Sequence, residues 1–266
     1  MSARVAAFFD LDGTLLPLPS LEERLFRMLR YRDEIPLSNY FFWLRESLRL
    51  LPNGIRAVTH ANKMYLRGVQ GFQESGAWNQ SDSCAHASGH AGEGRPSMPP
   101  RHNPRWPVPL FFEDGIERVA WHALQEHAIV IVSGTLEPLA NAAVRALETE
   151  LATRGITAEI RVCATRLEQS NGRWTGRILR EAMFGEAKGR AILALAGDMN
   201  LDLRQSWAYG DSELDRWMLA SVGNPAAVNP TPSLARIAWK QRWPILRTTH
   251  RVQQMRKPLQ QAEKCV

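Results

Sequence analysis

The sequence predicts an α/β fold: a doubly wound, mostly parallel sheet with a helical module inserted after its first strand. Three observations carry that expectation. Short apolar runs end in polar turns, at Val5–Phe9 before Asp10, Ala128–Val132 before Ser133 and Trp207–Tyr209 before Gly210, and such runs read as strands buried on both faces. Helix-period segments follow these turns, the alternation that builds a parallel sheet covered by helices. The chain has 266 residues, 44% hydrophobic and 23% charged. That is ordinary globular usage, which excludes a disordered chain, a collagen or a coiled coil, and a chain of this length buries a core without disulfide staples.

Each element follows from local pattern. The strand Val5–Phe9 stops at Asp10-Leu11-Asp12-Gly13, a tight turn. From Ser20 the period becomes helical: Leu21, Leu25, Met28 and Leu29 share one face, and Ser20 followed by Glu22 and Glu23 makes an N-cap with an acidic first turn. A second helix begins near Ser38 and carries Phe41, Phe42, Leu44 and Leu48, and a third runs from about Gly54 to Leu66. Between Gln73 and Pro107 there is then no Leu, Ile, Val or Phe. A stretch with so little apolar surface does not offset its ordering entropy and reads as a disordered insertion or long loop. Its Cys84, His86, His90 and His102 lack the paired spacing of a zinc site.

Past the insertion, the strand Ala128–Val132 enters Ser133-Gly134-Thr135 and a helix over 137–151. A strand over 159–164 precedes a hairpin turn at Asn171-Gly172. A helix over 187–195, the strand Trp207–Tyr209, and a helix through Leu219 complete the alternation, with Val222 leading into Gly223-Asn224-Pro225. The organisation expected is a Rossmann-like α/β core over 1–16 and 110–245, a helical module over 17–72, a low-complexity insertion over 73–109 and a basic tail over 246–266.

Composition narrows the function. Three cysteines, Cys84, Cys163 and Cys265, are odd in number and far apart, which suits a reducing compartment rather than a secreted disulfide framework. No apolar run approaches the roughly 18 residues of a membrane span, and Val5–Phe9 is too short for a signal-peptide core. A cytoplasmic protein is expected. The net charge of +6 sits largely in the C-terminal stretch, where Lys240, Arg242, Arg247, Arg251, Arg256, Lys257 and Lys264 face only Glu263. This reads as a solvated end, and no nucleic-acid module accompanies it.

Three strands end in turns rich in oxygen donors: Asp10-Leu11-Asp12-Gly13-Thr14, Ser133-Gly134-Thr135 and Gly210-Asp211-Ser212-Glu213-Leu214-Asp215. In a doubly wound sheet the ligand site lies beyond the carboxyl ends of the strands, so these turns converge on one crevice. Each aspartate alone is an ordinary turn or cap residue. Brought together they repel, and a hard, oxygen-liganded cation such as Mg²⁺ resolves the repulsion. Such a site suits phosphoryl transfer, with one carboxylate as nucleophile and a second as general acid and base. Lys188, at the head of its helix, and Ser133 with the Gly134 amide are placed to neutralise the transferring group.

With these residues in this order the sequence resembles the haloacid-dehalogenase-like phosphatases over roughly residues 4–245. Their four motifs match Asp10-Leu11-Asp12-Gly13-Thr14, then Ser133, then Lys188, then Gly210-Asp211-Ser212-Glu213-Leu214-Asp215. The helical module resembles the family's C1-type cap, and the pattern is most similar to the subfamily related to phosphoserine phosphatase. The resemblance implies Asp10 as nucleophile and Asp12 as general acid and base. It implies Thr14, Ser133, Gly134 and Lys188 around the phosphoryl group. Mg²⁺ would be held by the Asp10 carboxylate, the Asp12 backbone carbonyl and Asp211, with Asp215 beside or just behind those ligands. The function implied is hydrolysis of a small-molecule phosphate ester, with no specific nucleic-acid partner and no membrane span.

Two departures bear on this. The fourth motif has Gly-Asp-Ser-Glu-Leu-Asp where phosphoserine phosphatases carry Gly-Asp-Gly-x-Asn-Asp, which disfavours serine phosphate as substrate. The polar stretch at 73–107 stands where the cap would continue as amphipathic helix, as a lineage-specific loop or a shifted reading frame would produce. Two alternatives follow: a phosphotransferase or mutase on the same core, and a binding or regulatory protein on a catalytically impaired one.

Overall fold

The computed structural model describes residues 3–71 and 110–248. Its strands are β1 (Ala6–Phe9), β2 (Ala128–Leu136), β3 (Ile160–Thr165), β4 (Leu167–Ser170), β5 (Arg173–Ile178), β6 (Trp207–Gly210), β7 (Asn224–Val228) and β8 (Ile245–Leu246). Six form one sheet in the order β3-β2-β1-β6-β7-β8, every neighbouring pair parallel. The period of two sorts their side chains between two cores. Ala7, Phe9, Ile129, Ile131 and Tyr209 face one side, while Ala6, Phe8, Val130, Val132 and Ala208 face the other. Phe9 stacks on Tyr209 with ring centroids 4.7 Å apart.

Helices cover both faces: α1 (Leu21–Tyr31), α2 (Leu37–Leu50), α3 (Ile55–Ala61), α4 (Glu113–Leu124), α5 (Glu137–Thr153), α6 (Glu186–Met199), α7 (Arg216–Ala220) and α8 (Pro232–Gln241). Leu21, Leu25, Ile116, Val119, Leu139 and Leu147 bring α1, α4 and α5 to the first face. Ile192, Met218, Leu219, Leu234 and Ala238 bring α6, α7 and α8 to the second. The doubly wound α/β sheet is therefore present as expected. The order in which strands are added reverses between β1 and β6, the topological switch point.

Within the helical module, α1 starts where the sequence places it: the Ser20 hydroxyl accepts from the Glu23 amide, and Leu21, Leu25 and Leu29 are buried. The third helix differs from its expected range of 54–66. It ends at Ala61 because Asn62 leaves the helix to spend its side chain elsewhere. Its amide donates to Trp43 O at 2.7 Å and Ser47 Oγ at 2.9 Å, and its Oδ1 accepts from the Met64 amide. A single 3-10 turn, Met64–Leu66, follows. On α2, Phe41, Leu44 and Leu48 are exposed, so the apolar face expected there does not join the core. Asn39 instead anchors this helix, donating to Tyr65 O at 3.0 Å and Arg67 O at 2.6 Å.

The hairpin at Asn171-Gly172 forms as expected, both residues with positive φ of 50° and 72°, and joins antiparallel β4 to β5. It pairs with the end of the helical module: Gly68 N donates to Trp174 O at 2.8 Å, and Trp174 N donates to Val69 O at 2.9 Å. Helix α4 has no counterpart in the sequence reading. Its apolar positions Ile116, Val119, Ala120 and Ala123 have helical spacing, but Gly115 in the first turn weakens the signal. Leu15 packs against that turn, its side chain 3.1 Å from where a Cβ would sit. Helix α8 and strands β7 and β8 were likewise not read from pattern. The insertion expected over 73–109 and the tail beyond residue 248 lie outside the described residues.

Candidate active site

The carboxyl ends of β1, β2 and β6 meet at the switch point, and α6 enters from below with Lys188 in its first turn. Lys188 is 2% exposed, and its Nζ donates to Asp10 Oδ1 at 2.6 Å and Asp215 Oδ1 at 2.5 Å. Burial works to lower its pKa, but the Asp10 and Asp215 carboxylates outweigh burial and hold it above the ordinary value. The two carboxylates thus favour the ammonium form. The second oxygen of Asp215 accepts from the Asp211 and Ser212 amides and the Ser212 hydroxyl. This carboxylate braces the turn after β6, and Gly210 is required because a Cβ there would overlap the Asp215 side chain.

Asp10, Asp211 and Asp215 each offer an oxygen within 4.8 Å of the others. Burial raises Asp10 to about 7, against the pull of Lys188, with Asp215 adding to the rise. Burial, then the neighbouring Asp10 and Asp215, raises Asp211 to about 9. Such shifts mark carboxylates packed closer than their own charge allows. The donors are all hard oxygens, and one lysine does not balance them, so the residues fit a hard divalent cation. Gly13 makes the approach possible: its φ is +88°, and a Cβ there would collide with the Asp211 carboxylate.

Asp12 points differently. Its Oδ1 accepts from the Leu21 amide at 2.9 Å, so the carboxylate caps the entry to α1 and stands between core and helical module. Burial raises it to about 6, while the Leu21 hydrogen bond and Arg24 pull down. Its carboxylate is not part of the three-aspartate cluster.

A cavity of about 610 Å³ opens above these groups, with Asp10, Asp12, Ser133, Gly134, Lys188 and Asp211 in its floor. Of the expected phosphate-binding set, Ser133, Gly134 and Lys188 line it. Thr14 does not: it is wholly buried, with an Oγ1 that has no partner among the described residues. Gly134 is also a position of close approach. The group that approaches is the Phe184 ring, which a Cβ would overlap. Thr135, which the sequence places in this donor-rich turn without a role of its own, also lines the cavity, and its buried Oγ1 lacks a partner among the described residues. The hydroxyl following Ser133-Gly134 was the available signal.

The roof comes from the helical module and was not legible at residue level. Glu22 Oε1 accepts from Lys63 Nζ at 2.5 Å and from the Tyr65 hydroxyl at 2.7 Å. These partners are separated by 41 and 43 residues, and no sequence periodicity links them. Among the described residues no helix is long and apolar enough to cross a membrane.

The sequence matches the haloacid dehalogenase-like hydrolase family over residues 7–220. A probable phosphatase of Mycobacterium tuberculosis (strain ATCC 25618 / H37Rv) is 33% identical over 139 residues, 52% of this chain and 45% of that protein. The inhibition of morphological differentiation protein of Streptomyces azureus is 33% identical over 143 residues, 52% of this chain and 46% of that protein. The chain therefore spans about half the length of these curated relatives. A protein of unknown function from Bordetella pertussis Tohama I shares the fold with a TM-score of 0.59 at 22% identity, covering 92% of this chain and 99% of that one. A phosphoserine phosphatase in a phospho-aspartyl intermediate analogue form has a TM-score of 0.51 at 15% identity, covering 94% and 95% of the two chains.

Proposed function

The chain belongs to the haloacid dehalogenase-like hydrolases, and from that premise we propose that it is a Mg²⁺-dependent phosphatase that hydrolyses a small phosphomonoester through an aspartyl-phosphate on Asp10. The observation that carries this reading is the pairing of Asp10 with Lys188 at the switch point, 2.6 Å apart and buried, beside Asp211 and beneath an open cavity. A nucleophilic carboxylate, an ammonium cation and a site for a second cation then converge where a phosphoryl group would sit.

Asp10, Asp211 and the Asp12 backbone carbonyl would hold Mg²⁺, which supplies charge neutralisation for the incoming phosphate dianion. Lys188 favours the ionised form of Asp10 and orients it. An Asp10 oxygen attacks phosphorus, and the bond from phosphorus to the leaving oxygen breaks. Asp12 is tied through Oδ1 to the Leu21 amide, which leaves Oδ2 to give its proton to that oxygen. A pKa of about 6 keeps Asp12 able to donate near neutral pH. In the second half, Asp12 takes a proton from water as the water oxygen attacks phosphorus. Phosphate departs and the Asp10 carboxylate is restored. Ser133, the Gly134 amide and Thr135 supply neutral donors around the phosphoryl oxygens, and the roof excludes bulk water.

The test is phosphate release from p-nitrophenyl phosphate with Mg²⁺ and with EDTA. Release that requires Mg²⁺ supports the reading; release unchanged by EDTA, or none by folded protein across a broad panel of esters, overturns it.

A further inference from the structure

The floor of the cavity binds phosphate under the reading above, and this inference rests on it; the roof defines what the phosphate is attached to. We propose that the alcohol half of the ester carries a positive charge, as a primary amine or a quaternary ammonium, and that the roof binds that charge.

Charge excludes the opposite choice. Two lysines line the cavity and both are spent: Lys188 on Asp10 and Asp215, Lys63 on Glu22. No arginine is among the described residues that line it, and the lining histidine, His60, lies against the Phe184 ring with centroids 4.4 Å apart. A carboxylate or a second phosphate on the leaving group would find no open cation there, and would meet Glu22 and Glu23 at the roof. Anionic leaving groups are disfavoured by desolvation without compensation.

The roof suits a cation on two independent grounds. Glu22 is paired with Lys63 and Glu23 with Arg27, so the carboxylates at that end are balanced in charge but still offer acceptor oxygens. Glu22 uses Oε1 for both Lys63 and Tyr65, and its Oε2 has no hydrogen-bond partner among the described residues. The walls around these groups are aromatic: Phe26, Tyr40 and Trp43 from the first two helices and Phe184 from the loop before α6. Rings of this kind attract ammonium groups through the negative face of the π system. Phe184 already faces one, with Lys63 Nζ 5.9 Å from its centroid. At about 610 Å³ the cavity holds a phosphate and a trimethylammonium group together.

The experiment compares phosphocholine with 3,3-dimethylbutyl phosphate, the same shape with carbon in place of the charged nitrogen, with phosphoethanolamine and 3-phosphoglycerate as further arms. Hydrolysis is followed in wild-type protein with Mg²⁺, and binding is followed by calorimetry on Asp10→Asn protein, which separates affinity from turnover. The expected result is a preference of about tenfold for phosphocholine over its neutral isostere, as a desolvated cation–π contact supplies. That preference should shrink in Trp43→Leu and Glu22→Gln proteins, and 3-phosphoglycerate should be weakest. A stronger response to phosphoethanolamine than to phosphocholine assigns the charge to Glu22 rather than to the rings. Equal binding of phosphocholine and the isostere overturns the inference even where both are hydrolysed. Preferential binding without hydrolysis of any ester leaves the cation site standing and overturns the phosphatase reading.

Discussion

Asp12 is the residue at which core and roof meet, because one carboxylate oxygen is committed to the first amide of α1 while the residue lines the cavity. Asp12→Asn keeps a hydrogen-bond acceptor for Leu21 and removes the proton carrier. It is expected to lower kcat by roughly 10² to 10⁴-fold, the usual worth of general acid–base catalysis, with little change in melting temperature. Steady-state kinetics beside a thermal melt checks this, and an equal fall in both would point to a structural role. The carboxylates, Ser133, Gly134 and Lys188 were legible in the sequence because motif residues follow strand ends, and the parallel sheet places strand ends together. The roles of Thr135 and of Phe184 over Gly134 were not, because they depend on side chains meeting across segments with no shared periodicity.

Among the elements, the strands and helices with strong patterns matched the sequence reading: β1, β2, β3, α1, α5, α6 and the hairpin lie within a few residues of their expected positions. The misses share a cause. Helix α4 begins at a glycine-bearing turn beside the polar insertion, β7 starts with Asn224-Pro225, and β8 has two residues. In each, tertiary packing decides what local propensity does not. The helical module is tied down by polar contacts as much as by apolar ones, and Asn39 is the clearest case, 2% exposed and bonded to two carbonyls. Asn39→Ala strands both carbonyls and is expected to cost about 1–3 kcal/mol. Because α2 carries Tyr40 and Trp43 of the cavity wall, KM should rise more than kcat falls. Chemical denaturation and a kinetic series test this together; an unchanged KM would detach Asn39 from the roof's geometry.

For the molecule as a whole, the active-site carboxylates set the direction of its pH response. Asp10 and Asp211 stand at about 7 and about 9 in the metal-free fold, above the ordinary value of 3.8. Between these limits the unfolded chain has released protons that the folded protein keeps, so these groups make metal-free stability fall as pH rises from about 4 toward 9. A bound divalent cation displaces those protons. Its stabilisation should therefore grow with pH, and melting temperatures with and without Mg²⁺ at pH 5.5 and pH 8 measure it; equal Mg²⁺ shifts at both would refute the linkage. The most direct test of the central claim is the phosphoryl group itself, caught by acid quench during turnover and located by intact mass and peptide mapping. The account predicts an adduct on Asp10 that forms with Mg²⁺, is absent with EDTA and is absent from Asp10→Asn protein. Turnover that persists in Asp10→Asn, or an adduct on any other residue, would contradict it.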